Sequence, residues 1–211
     1  MQMKKFDNSF LTDKIRYIAG TDEAGRGPLA GPVVAAAVIF DKDVWIKGVN
    51  DSKQLTEKER EDLLPQIMEK CLACSVSVIS HIRIERINIL QASLLAMTTS
   101  IDRLKIKPDL ILVDGNKSLN HPVYSIPIIK GDSKSFAIAS ASIIAKVARD
   151  RIMKRLHLYY PKYNWSKNKG YGTAEHIAAI KTYGPSPLHR MSFLRNILSE
   201  INSERFELET E

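Results

Sequence analysis

Apolar runs and polar punctuation divide the chain into elements that can be predicted one at a time. Residues 16–22 and 31–40 are rich in Val, Ile and Ala, have short polar boundaries, and read as strands. Between them Gly25, Gly27, Pro28, Gly31 and Pro32 forbid a helix. Thr56 followed by Glu59 has the spacing of a capping box and predicts a helix to about residue 70. Residues 72–80, "LACSVSVIS", read as a third strand. Over residues 83–105, Ile87, Leu90, Leu94, Met97 and Ile101 recur at helical spacing, which predicts a long helix with that stripe in the core. "PDLILVDGN" is a buried strand ending in a turn, and "YSIPIIKGD" a further strand. Residues 133–160 predict a second long helix, apolar at Ile144, Ala148, Ile152 and Leu156. A Tyr-, Lys- and Asn-rich loop follows, then a short helix stopped by Gly184, then a last helix within "SPLHRMSFLRNILSEI". Three early strands followed by strands alternating with helices give an α/β architecture: a mixed sheet with helices covering its faces.

The chain has 211 residues, 44% of them apolar, enough for one domain with a core that needs no disulfide. No apolar run reaches the ~20 residues of a membrane span. The N-terminus lacks the apolar centre of a signal peptide, so a cytoplasmic protein is expected. Cys71 and Cys74 form a C-x-x-C without a second pair to complete a zinc site, and are expected to be small buried thiols. The net charge of +7 is unevenly spread. The segment from Glu200 onward is acidic, whereas residues 130–170 carry ten Lys or Arg against two Asp. A basic body with one dense stretch points to a polyanionic partner.

Carboxylates stand where strands stop. Asp22 and Glu23 follow "YIAGT", Asp114 follows "LILV", and Asp132 follows "SIPIIKG". Sites of open α/β sheets gather at such strand ends. Singly, Asp114 is explained by a turn and Asp132 by an N-cap for the next helix. The adjacent pair is harder to explain, since successive strand side chains face opposite ways and one acid or the other must be desolvated. A divalent cation reverses that cost, and oxygen ligands without His or Cys suit Mg²⁺ or Mn²⁺. Such a site on a basic protein suggests phosphoryl chemistry on nucleic acid. Gly25-x-Gly27-x-x-Ala30 also matches a dinucleotide fingerprint, but that motif needs a following helix, and "VVAAAVIF" continues as strand. The glycines serve instead to let backbone approach a ligand closely, with Arg26 available to hold a phosphate.

The segments "GTDEAGRGPLAGPVVAAAV", "DSKQLTEKER", "LILVDGN", "KGDS", "ASASIIAKVARDR" and "NKGYGT", in this order, resemble bacterial ribonuclease HII. The resemblance runs from about residue 17 to about residue 195. It implies a ribonuclease H-like catalytic core over residues 1–160 and a helical C-terminal extension over 161–211, with an acidic tail from about 200. It implies hydrolysis of RNA in RNA–DNA hybrids and incision 5′ of single ribonucleotides embedded in duplex DNA, by two Mg²⁺ or Mn²⁺ ions, leaving 3′-hydroxyl and 5′-phosphate ends. The partners are then hybrid and ribonucleotide-containing duplex, with no membrane, and the protein is expected to act as a monomer. Family acids fall on Asp22, Glu23, Asp114 and Asp132. The family's 2′-hydroxyl-sensing turn falls on Gly25, Arg26 and Gly27, and its substrate-sensing tyrosine on Tyr171. Lys53 and Lys134 are candidate phosphate binders. Asp150, inside the second long helix, is set aside as a fourth acid and expected to pair with Lys154. The serines and lysine of "SASIIAK" are expected to pack rather than act, and the histidines have no ligand spacing. The competing reading is a non-catalytic RNA–DNA hybrid-binding protein.

Overall fold

A computed structural model of the chain describes residues 2–200. Five strands form one mixed sheet: β1 (Ile18–Ala24), β2 (Val33–Ile39), β3 (Ala73–Ile79), β4 (Leu110–Asp114) and β5 (Ser125–Ile128). Their order across the sheet is β3-β2-β1-β4-β5. β1 and β2 pair antiparallel, as do β2 and β3, while β1, β4 and β5 run parallel. This is the expected mixed sheet, with helices on both faces.

The helices are α1 (Gln2–Asn8), α2 (Glu57–Lys70), α3 (His81–Asp102), α4 (Phe136–His157), α5 (Trp165–Asn168) and α6 (Ala174–Tyr183). Residues 195–200 are also helical. α2 begins with the anticipated capping box, Thr56 accepting from the Glu59 N–H and Glu59 reaching back to Thr56. α3 packs on one face of the sheet against Ala19, Ala35, Ala37 and Val113; α4 and α2 pack on the other against Ala36 and Val38. The "VVAAAVI" strand is fully buried, and its alanines let helices come close from both sides. Gly20 of β1 does the same for α4: a Cβ there would lie 2.3 Å from the Ala137 carbonyl carbon.

Several expectations are corrected. α3 is not one uninterrupted helix; Asn88 leaves helical geometry at φ 63°, and its Oδ1 accepts the Gln91 N–H to restart the helix. Its deeply buried face is Ala92, Ala96, Met97 and Ile101 with Ser93 and Ser100, while Leu90 and Leu94 are only half-buried. The Ser100 hydroxyl is accommodated there by donating to the Met97 carbonyl (2.7 Å), whereas the buried Ser93 hydroxyl has no partner among the described residues. α4 has no simple apolar stripe either: it is the central helix, and residues 136–145 are buried all round. The helix α1 was not predicted. It is held by buried Asp7, whose carboxylate accepts the Ala137 N–H at the start of α4 (2.9 Å). The "SPLHRMSFLRNILSEI" segment opens with a turn and an isolated bridge from His189 to Ala30, passes a short 3₁₀ turn at Met191–Phe193 and becomes helical only from 195. Cys71 and Cys74 are free and half-buried rather than buried. The acidic tail from 201 lies outside the described residues.

After α4 the chain closes a second small core. Tyr163, Trp165, Ala179, Ile180 and Leu194 pack together around Met153 of α4 and Ala30. This packing brings the "NKGYGT" segment back beside the turn after β1.

Candidate active site

The parallel pairing of β1 with β4 sets the site. Thr21 is in register with Val113, so Asp22 and Asp114 come next on adjacent strands. Asp132 arrives from the 3₁₀ turn Gly131–Ser133 that follows β5. Single carboxylate oxygens of Asp22, Asp114 and Asp132 lie within 4.8 Å of one another. Asp132 is not the N-cap of α4; Ser135 is, accepting from the Ile138 N–H. The Asp114 Oδ1 accepts the Gly131 N–H (2.7 Å), which locks the Asp132 turn to the β4 end. Glu23, the next residue of β1, stands outside this trio. It edges the same cleft and pairs with Arg26 (3.4 Å).

The cleft is about 330 Å³ and includes Asp22, Glu23, Asp114, the Gly25-Arg26-Gly27 turn, Lys53 and Tyr171. Burial, then the charges of Glu23 and Asp114, push the Asp22 carboxyl well above the usual carboxylate range. Burial raises Asp114 too, with the charge of Asp132 adding to it. Glu23 is raised by burial against the opposing charge of Arg26. These carboxylates therefore resist ionising together and hold an unmet demand for positive charge. The exposed Lys53 ammonium partly answers it, 3.1 Å from Asp132 Oδ2. An all-oxygen donor set of this spacing fits a hard divalent cation.

The structure brings most of the sequence-predicted residues together but not Lys134. That side chain borders a separate cleft with Gln2, Met3, Phe6 and Trp45. Other residues were missed. Ser142 and Lys146, four apart on α4, both face the cleft, although "SASIIAK" read as packing. Ser142 bonds to Ser52 (2.8 Å) and helps hold the Asp22 carboxylate. Their spacing relative to one another was the available signal. Asp150 does not pair with Lys154. It is buried, bonded to Lys146 at 2.7 Å and near Arg60 at 3.7 Å, while Lys154 pairs with Glu57.

Two fully buried arginines were also missed. Arg149 donates to the carbonyls of Pro32, Ala30 and Lys169; Arg190 donates to those of Gly25, Arg26 and Gly31. Neither forms an ion pair with a carboxylate among the described residues. Burial pulls Arg149 down to about 10 and Arg190 down to about 9.

Tyr171 stands across from the turn: a Cβ added at Gly27 would lie 3.7 Å from its ring. Its backbone is anchored by histidines that have no metal-ligand spacing. Trp165 Nε1 donates to His176 Nε2 (3.0 Å), so His176 holds its proton on Nδ1 and donates it to the Tyr171 carbonyl (2.9 Å). His189 Nδ1 accepts the Ser186 N–H (2.9 Å), and its Nε2 lies 3.1 Å from His176 Nε2. Burial, then the neighbouring His176, lowers His189 to about 4. A base lowered on folding contributes stability that is complete above its unfolded value of ~6.5 and lost as pH falls through about 4. The stability advantage of wild type over His189→Asn in chemical unfolding should therefore shrink as pH falls between these values, a comparison that cancels the opposite pull of raised carboxyls such as Asp7. An advantage that stays constant over that window would contradict this account.

A mixed sheet with three carboxylates converging at the ends of β1, β4 and the turn after β5, opposite a basic, glycine-lined cleft, defines a ribonuclease H-like enzyme. The family model described as Ribonuclease HII matches residues 19–196. Ribonuclease HII of Caldicellulosiruptor bescii is 51% identical over 92% of this chain and 95% of its own length. That of Caldanaerobacter subterraneus subsp. tengcongensis is 48% identical over 93% of this chain and 82% of its own. The crystal structure of ribonuclease H2 from Pyrococcus horikoshii OT3 superposes with a TM-score of 0.72 at 28% identity, covering 88% of this chain and 99% of that one. The chain belongs to the ribonuclease HII family.

Proposed function

We propose that this enzyme hydrolyses the RNA strand of RNA–DNA hybrids and incises 5′ of single ribonucleotides in duplex DNA, leaving 3′-hydroxyl and 5′-phosphate ends. The observation that carries the reading is the convergence of Asp22, Asp114 and Asp132 within 4.8 Å of one another, at a cleft whose turn faces Tyr171. Asp22, Asp114 and Asp132 would hold divalent cations, Mg²⁺ or Mn²⁺, with Glu23 at the rim. Bound there, two such ions supply an activated water and stabilise the departing oxygen. The chain's own residues do the rest. The Gly25-Arg26-Gly27 turn, exposed at Arg26 and Gly27, sets its backbone against the sugar; Arg26 and Lys53 offer charge to phosphates. Lys134 would reach phosphate only beyond the cleft. Tyr171 packs its ring on the sugar of the neighbouring deoxynucleotide, where a second 2′-hydroxyl is unwelcome. In this reading residues 1–160 carry the carboxylates, and the extension from 161 supplies Tyr171 and its support.

The test is a DNA duplex with one embedded ribonucleotide, incubated with Mg²⁺ or Mn²⁺. Incision on its 5′ side is expected; intact duplex under both metals leaves only the hybrid-binding alternative. Tyr171→Ala should slow junction cleavage by about 10- to 100-fold, the value of one stacking contact of ~1–3 kcal/mol. Metal binding should persist, and normal cleavage would remove Tyr171 from this role. Adding Mg²⁺ or Mn²⁺ should raise the melting temperature, because cation binding favours the folded state. Absence of any shift at millimolar metal would argue against the carboxylate trio as the cation site.

A further inference from the structure

Arg190 is fully buried, yet every hydrogen bond it donates goes to a neutral carbonyl, with the Phe193 ring 5.2 Å from its guanidinium carbon and no carboxylate among the described residues within ion-pair distance. Its Nη2 donates to Gly25 O (2.7 Å), its Nη1 to Arg26 O (3.0 Å), and its Nε and Nη2 to Gly31 O (3.0 and 2.9 Å). Burying an unpaired guanidinium is expensive, and a carboxylate would be the ordinary remedy. Here the charge is spent on one turn. The Gly25 carbonyl and the Arg26 N–H belong to one peptide unit; the Arg26 carbonyl and the Gly27 N–H belong to the next. A cation bonded to a peptide oxygen draws electrons from its nitrogen and makes that N–H a stronger donor. Arg26 and Gly27 are exposed, and neither N–H donates to an acceptor among the described residues. Arg149 supports the same arrangement from beneath: a Cβ at Gly25 would lie 2.1 Å from its Nε, and its bond to Lys169 O (2.9 Å) ties in the Tyr171 segment.

We infer that Arg190 is a specificity-setting positioning residue: it fixes the Arg26 and Gly27 amides and polarises them as paired donors for a ribose 2′-hydroxyl oxygen. The inference rests on the reading of Gly25-Arg26-Gly27 as the sugar-sensing turn. A lysine at 190 keeps one charge but cannot fork across three carbonyls, so the selectivity should fall while the charge remains.

Binding is measured in an Asp114→Asn background that does not cut, to two duplexes differing only in one ribonucleotide. The background protein should prefer the ribonucleotide duplex by about tenfold, the worth of one good hydrogen bond. Adding Arg190→Lys should bring the two affinities together by weakening only the ribonucleotide duplex. A folded Arg190→Lys protein that keeps the preference, or loses affinity equally for both duplexes, overturns the inference. No preference in the background protein sinks the sugar-sensing reading of the turn instead. If thermal melts show that Arg190→Lys does not fold, amide NMR of the background protein decides. The Arg26 and Gly27 N–H signals should move downfield with the ribonucleotide duplex alone, and unmoved signals in a background protein that still prefers that duplex overturn the inference.

Discussion

Asp22→Asn is expected to abolish incision at an embedded ribonucleotide, by about 10³-fold or more, in either Mg²⁺ or Mn²⁺. A loss of that order follows when one charged element leaves a preorganised site. The substitution keeps the shape of a side chain that is 4% exposed and removes a buried charge that Glu23 and Asp114 both oppose. It should also make the metal-free protein more stable at neutral pH. A carboxyl raised on folding contributes stability that is complete below its unfolded value of ~3.9 and lost as pH rises through the folded value. Asparagine has no such loss. The variant should therefore melt higher than wild type without metal and gain less when metal is added. Quenched incision assays and paired melts with and without metal measure both effects. Wild-type incision by Asp22→Asn would remove the residue from the chemistry; a lower metal-free melting temperature would contradict the account of its buried charge.

Gly20→Ala should be severely damaging for so conservative a change, costing about 3 kcal/mol or preventing folding outright. Its Cβ would stand 2.3 Å from the Ala137 carbonyl carbon and 2.4 Å from the Ile138 nitrogen. Both are backbone atoms at the start of the central helix, and neither can step aside as a flexible side chain can. Relief requires α4 to move off β1, which would carry Ser142 away from Asp22 as well. Gly115→Ala is the informative comparison. It sits at φ +100° with nothing within 4 Å of the added carbon, so only its backbone strain of ~1–2 kcal/mol should register. Urea unfolding of both variants measures the difference, and similar midpoints would show that β1 and α4 are not locked as closely as described.

The sheet was legible because strand signals are local. Short β-branched runs with glycine and proline between them gave β1 to β5 within a few residues, and the capping box gave the start of α2. The carboxylates were legible for the same reason: an acid at the end of a buried run stands out against its neighbours. What the pattern could not give was anything set by tertiary surroundings. α4 is enclosed on every side, so its 3.6-residue stripe carries little information and Ser142 and Lys146 looked like packing. The Asn88 break occurs inside an otherwise helical pattern, since asparagine ends a turn only when the neighbouring packing asks it to. Arg149 and Arg190 had no signal at all. A buried arginine bonded to carbonyls leaves no acidic partner in the sequence to reveal it.

The grip of Arg190 on Gly25 spans 165 positions of the chain. During synthesis every carboxylate of the trio has been made by residue 132, long before the residue that holds the turn. A chain cut short by an early stop codon between these points would carry the carboxylate trio without Arg190, and without the Leu194 that closes the small core beside Tyr171. The two halves of the cleft are thus completed at opposite ends of translation.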